Sequence, residues 1–262
     1  MNNINKYRED FLKNGVVKLD QFYNEDEIDN ISNAISDVVE KPSPFKSMTM
    51  DERGSFFMDY NNWKRFPKLF DVCSYSKTVN FLKLLTDSSK CWLFHDHVLI
   101  KSGHAPATPW HHDRPYYIFK GNMNLSIWTP LDDVPKGNGM VFLAGSHKSD
   151  NLYAPRSFKT GEELGQKAGF NNITDEVIES YEKLEFDLKK GDAIVFLNNT
   201  IHSAALHKET FERSSLSVRY LMDGAQMTKN YINATPPFDR LGVEVEEGGE
   251  IPENFFPLLG SA

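Results

Sequence analysis

The chain has 262 residues, with 29 Lys and Arg against 37 Asp and Glu, giving a net charge of −8. Hydrophobic residues at 40% and charged residues at 25% are ordinary for a globular chain and argue against disorder. The acidic balance argues against nucleic acid as a partner, which would call for a basic patch or stripe. β-Sandwiches and barrels often reach this length as one unit, so residues 1–262 are read as a single domain.

Met1 to Phe11 is polar and charged, without the apolar stretch of a secretory signal. No run approaches the roughly 18 apolar residues of a membrane span. Cys73 and Cys91 form no Cys-x-x-Cys pair, so a reducing, cytoplasmic location is the expectation. Gly15–Leu19 reads as a short strand. Residues 24–39 read as an amphipathic helix with Ile28, Ile31, Ile35 and Val38 on one stripe, and Asn24 with Glu27 forms a capping pair at its start. A second helix is expected over 77–87. From Trp92 onward, Trp92–Lys101, Met123–Leu131, Gly139–Ala144, Ala193–Asn198 and Ser214–Leu221 read as strands separated by turn residues. A helical start followed by several strands suggests a β-sandwich or barrel with helices packed outside. The polar stretch 146–190, with a helical candidate at 175–185, reads as an excursion from that core and a lid or binding loop.

Three signals carry chemistry. In Trp110-His111-His112-Asp113, strand alternation would put His111 and Asp113 on one face and His112 on the other. A surface pair is the alternative reading. The Gly191-Asp192 turn launches an apolar strand that leads to His202, which is either structural or a third ligand. Two histidines and a carboxylate can occupy one face of an octahedron, the arrangement of non-haem Fe(II) oxygenases. Arg213 follows His202 by eleven residues. A hairpin centred between 207 and 208 would set the two opposite each other on adjacent strands. Arg213, Ser215, Ser217 and Arg219 would then share one face. A guanidinium grips a carboxylate bidentately, whereas a surface salt bridge is the bland alternative.

These pieces together resemble the phytanoyl-CoA dioxygenase family of Fe(II)- and 2-oxoglutarate-dependent oxygenases. The matching segments are Thr108–Tyr117, Trp128–Val134, Asn138–His147, the strand from Gly191 to His202, and Arg213, with Phe11 and Asn14–Val17 similar to the family's start. The resemblance implies a mainly β fold, a double-stranded β-helix (jelly roll) core with flanking N-terminal helices. It implies His111, Asp113 and His202 as ligands of Fe(II), and Arg213 as the residue holding the distal carboxylate of the co-substrate 2-oxoglutarate. Trp128, Thr129 and Ser203 fall near positions that contact the co-substrate in relatives. Relatives often carry Asn shortly after the distal histidine, where this chain has Ser203-Ala204-Ala205-Leu206-His207.

The activity so implied is hydroxylation of a C–H bond in a small organic molecule by O2, with release of succinate and CO2. Demethylation, desaturation or ring closure by the same oxidant is the alternative, as is a non-catalytic jelly-roll binding protein with a vestigial metal site. Arg219 and Tyr116 are the candidates for substrate contact. At about 3.3 Å per residue Arg219 would lie roughly 20 Å beyond Arg213, either in an ion pair or at the cavity rim drawing in an anionic substrate. His95 and His97 read as pocket lining, and His147 as structural.

Overall fold

A mutual cap starts the helix expected over 24–39: Asn24 Oδ1 accepts from the Glu27 amide at 2.8 Å, and the Glu27 carboxylate accepts from the Asn24 amide at 2.9 Å. The stripe Ile28, Ile31, Ile35 and Val38 is buried as its spacing requires. The computed structural model describes residues 4–50, 54–157, 162, 169–208 and 211–260. In chain order these form α1 (Ile4–Asn14), β1 (Val16–Leu19), α2 (Glu25–Glu40), β2 (Ser47–Met50), β3 (Gly54–Tyr60), α3 (Pro67–Cys73) and α4 (Ser76–Thr86). There follow β4 (Cys91–Gly103), β5 (Thr108–His111), β6 (Phe119–Lys120), β7 (Leu125–Pro130), β8 (Met140–Leu143), β9 (Leu152–Tyr153) and β10 (Phe170–Asn171). The chain continues with α5 (Asp175–Glu179), β11 (Lys183–Glu185), β12 (Ala193–Leu197), β13 (His202–Ala204), β14 (Arg213–Met222) and β15 (Gln226–Met227).

Two sheets make the jelly roll. The larger has the order β1-β12-β7-β14-β4-β3-β2 and the smaller β11-β8-β13-β5. Period-two alternation assigns each face of the larger sheet. Leu125 and Ile127 of β7, with Ala193, Val195 and Leu197 of β12, join the helical residues Ile31, Leu69 and Leu82 in the main core. Between them Trp128, Ile194 and Phe196 turn inward to meet Phe142 of the smaller sheet. Segments beyond β15 close one end, where Phe238 and Phe256 pack on Phe94, Tyr117 and Phe119. Among the described residues no helix is long and apolar enough to cross a membrane.

Two expectations are corrected. The helix sought over 175–185 stops at Glu179, and Lys183–Glu185 instead pairs antiparallel with β8, with Leu184 packed against the core. His202 and Arg213 are not cross-strand neighbours. His202 pairs with His111 and Phe142 in the smaller sheet, whereas Arg213 pairs with Lys101 in the larger. The connection between them crosses from one sheet to the other, and residues 209–210 of the expected turn lie outside the described residues.

Candidate metal centre

His111 is the last residue of β5, and after it the chain leaves the sheet. Asp113 has helical backbone angles, φ −75° and ψ −21°, so strand alternation does not bring the two side chains together. The turn does, pinned where the Asp113 and Arg114 amides both donate to the Asn198 carbonyl beyond β12. His112 points the other way, accepting the Tyr153 amide on Nε2 at 3.0 Å. His202 begins β13, directly opposite His111. Its entry is set by Gly15, whose carbonyl accepts from the Thr200 hydroxyl at 2.8 Å. Gly15 has φ +78°, and a Cβ there would collide with Thr200 and His147.

His111, Asp113 and His202 are all buried, and one ligand atom from each lies within 4.8 Å of the others. His111 Nε2 and Asp113 Oδ1 are 3.8 Å apart. Each imidazole donates Nδ1–H to a backbone carbonyl two residues earlier, His111 to Pro109 at 2.8 Å and His202 to Thr200 at 2.9 Å. That fixes the tautomer with the lone pair on Nε2, the form a metal binds. Burial, then the neighbouring imidazole, pushes His111 down to about 3, and burial lowers His202 as well, so both stay neutral. Burial alone would raise Asp113, but the Arg219 guanidinium holds its carboxyl well below the usual carboxylate range. Two neutral nitrogens and one ionised oxygen, grouped on one side, fit a divalent metal such as Fe(II).

Of the two alternatives for Arg219, the structure shows the ion pair, with Asp113 as the partner. Its Nε donates to Asp113 Oδ2 at 3.4 Å and its Nη1 to His97 Nδ1 at 3.1 Å, with the side chain 13% exposed. Walking six residues along β14 leads to the carboxylate, not to solvent. Ser126 also points at Oδ2, at 3.5 Å, so Oδ2 is held from behind while Oδ1 faces His111.

Two cavities meet at this cluster. The larger, of about 270 Å³, is lined by Asp113, Arg219, His95, His97 and Tyr116 among others. The smaller, of about 80 Å³, is lined by His111 and His202 and reaches Arg213 past Ser217 and Ser215. Arg219 and His97 border both. Arg213 is buried and donates Nη1 to the Asn138 carbonyl. Trp128 and Ser203 line the smaller cavity, the indole N–H donating to Ser215 at 3.1 Å. Thr129 does not line it. It takes the opposite side of β7, beside the Tyr23 hydroxyl. Tyr116 donates its hydroxyl to the Arg156 carbonyl at 3.0 Å. Sequence reasoning missed Lys101, which pairs with Arg213 across β4 and β14 and is 5% exposed. Its signal was the register: Arg213 and Lys101 share an inward face only once β14 is placed beside β4.

The phytanoyl-CoA dioxygenase family profile matches residues 11–215. Among solved structures the fold is similar to the epimerase SnoN from nogalamycin biosynthesis, crystallised with Fe3+, alpha ketoglutarate and nogalamycin RO (TM-score 0.77, 18% identity, 99% of each chain). It is also similar to the alpha ketoglutarate dependent carbocyclase SnoK of the same biosynthesis (TM-score 0.76, 17% identity, 97% of this chain and 96% of that one). EctD from S. alaskensis, in its apoform, superimposes at a TM-score of 0.68, with 15% identity over 88% of this chain and 81% of that one. No curated protein matches.

Proposed function

Because the chain belongs to the phytanoyl-CoA dioxygenase family of Fe(II)- and 2-oxoglutarate-dependent oxygenases, we propose that it hydroxylates a C–H bond of a small organic substrate. The observation that carries this reading is the position of the buried His-Asp-His cluster between two cavities, one ending in buried cations and the other open for a substrate. His111 and His202 would hold the metal through Nε2 and Asp113 through a carboxylate oxygen, leaving one face for co-substrate and O2. When bound, iron with 2-oxoglutarate and O2 supplies the oxidation, releasing succinate and CO2.

The protein's own part is orientation and exclusion of water. Arg213 would take the distal carboxylate of 2-oxoglutarate as a charge-assisted pair, with Lys101 as a second cation at the same end. Ser203 and Ser215 offer hydroxyls along the smaller cavity, while Trp128, Phe196 and Met140 give it apolar walls. Arg219 and Ser126 hold the rear oxygen of Asp113, so that carboxylate keeps one orientation. Substrate would enter from the larger cavity, beside Asp113.

Reconstitution with Fe(II) tests the reading. Substrate-dependent succinate formation with a product one oxygen atom heavier is the expected result, and His111→Ala, Asp113→Ala or His202→Ala should each abolish it. Iron content unchanged in Asp113→Ala would show that the ligands lie elsewhere. A product of unchanged oxygen count, lacking two hydrogens or cyclised, would favour desaturation or ring closure at the same site.

A further inference from the structure

His95 and His97 stand two residues apart on one face of β4, and both line the larger cavity. They are 1% and 6% exposed, and the Nε2 atom of each is buried without a hydrogen-bond partner among the described residues. Buried polar atoms are seldom left so. Their tautomers follow from their other nitrogens. Arginine only donates, so Arg219 Nη1 beside His97 Nδ1 makes that nitrogen the lone pair and leaves the proton on Nε2. A carbonyl only accepts, so His95 Nδ1, at 3.0 Å from the Asp96 oxygen, carries the proton and leaves Nε2 as an acceptor. Burial and then Arg219 push both rings well below their ordinary range, which keeps them neutral. Two rings that line one cavity, their backbone positions roughly 7 Å apart at about 3.3 Å per residue, therefore differ in kind: one Nε2 is an acceptor and the other a donor.

The surroundings limit what can use that pair. The Arg219 charge is matched by Asp113, and Arg156 directs Nη2 toward the Ile173 carbonyl at 3.5 Å. Tyr60, Tyr116 and Met58 supply flat or apolar wall, and Thr49 adds a hydroxyl. A carboxylate or phosphate has only acceptors to offer and would set its charge against the His95 lone pair. A hydroxyl both donates and accepts. Resting on the oxygenase reading above, we propose that the larger cavity takes a neutral polyhydroxylated ring, with His95 Nε2 accepting from one substrate hydroxyl and His97 Nε2–H donating to another oxygen. Through Arg219, the His97 end of this clamp is one side chain away from Asp113.

The test pairs succinate formation by the Fe(II)- and 2-oxoglutarate-loaded enzyme with calorimetric binding to the same protein without iron. Methyl glucoside and myo-inositol are compared with gluconate and glucose 6-phosphate. The neutral polyols should bind and stimulate turnover, and the anions should do neither. His95→Leu and His97→Phe should each weaken polyol binding about tenfold or more, the loss of a buried hydrogen bond. His95→Gln, which retains an acceptor, should recover part of it. Melting curves show whether each variant folds, and His95→Leu, which leaves the Arg219 contact intact, keeps the test available if His97→Phe does not. Binding of the anions in preference to the polyols, no polyol binding by the wild type, or unchanged polyol affinity in folded His95→Leu would overturn the proposal. Failure to bind Fe(II) and 2-oxoglutarate would overturn the oxygenase reading instead, and the iron-free calorimetry would still decide this one.

Discussion

Arg219 donates to Asp113 and to His97, and the three side chains are nearly withdrawn from water. In such a setting the ion pair matters less for what it adds than for what its loss leaves behind. Replacing Arg219 by Leu strands an ionised carboxylate in the interior, at a cost of about 3–5 kcal/mol in the metal-free protein. Arg219→Gln keeps a donor but not the charge, and should weaken Fe(II) binding by about 10–100-fold, as removal of an outer partner of a metal ligand does. Iron titration and a metal-free melting curve check both. His112→Ala is the contrasting case. It leaves the buried Tyr153 amide without its acceptor, so stability should fall by about 1–3 kcal/mol while iron binding is kept. Loss of iron in that variant would mean that the ring orients His111 or Asp113. Residues close in sequence were the legible ones here: His111 and Asp113 announce each other. The tautomers of His95 and His97 were hidden, because the one at His97 is set by an arginine 122 residues away.

At the scale of elements, β14 does most of the positioning. Its central residues are paired on both sides, with β4 and with β7, and Arg213, Ser215, Ser217 and Arg219 all turn to the smaller cavity. One strand thus carries the cation for the co-substrate at its start and the partner of Asp113 near its end. Arg213→Leu should raise the 2-oxoglutarate requirement steeply, by the roughly 1.5–3 kcal/mol of a charge-assisted hydrogen bond, while leaving Fe(II) binding intact. Lys at 213 should restore only part, lacking the planar fork. Equal 2-oxoglutarate affinity in wild type and the Leu variant, by titration, would remove Arg213 from this role. The strand itself was legible, because Leu216, Val218 and Tyr220 alternate with polar residues. Its neighbours were not: nothing in Lys208-Glu209-Thr210 says that the chain changes sheets before Arg213. The hairpin of β2 and β3 also escaped, since Ser47–Met50 is mostly exposed and lacks a buried alternation. The closing segment with Phe238 and Phe256 has almost no regular structure to announce it, only aromatic side chains that fill one end of the core.

At the scale of the whole molecule, an acidic chain of net charge −8 keeps two cations buried side by side, Lys101 and Arg213. Burial, then the Arg213 charge, pushes Lys101 from 10.5 down to about 7. Its Nζ has the Pro106 carbonyl at 2.9 Å and the Phe56 ring for company, and neither carries a negative charge. Between about pH 7 and 10.5 the unfolded chain therefore binds more protons at this lysine than the folded one, so its contribution makes stability rise with pH across that window. Below about pH 7 the ammonium is buried at full cost. Lys101→Met should accordingly stabilise the protein without ligands near neutral pH and flatten that rise. A dianionic 2-oxoglutarate held by Arg213 reverses the balance, since a carboxylate beside Lys101 favours the ammonium. Binding at pH 8 should therefore take up close to one proton per site. Calorimetry in buffers of different ionisation enthalpy measures that uptake directly, and it should vanish in Lys101→Met. If the wild type binds 2-oxoglutarate at pH 8 with no proton uptake, Lys101 does not face the co-substrate and Arg213 holds it alone.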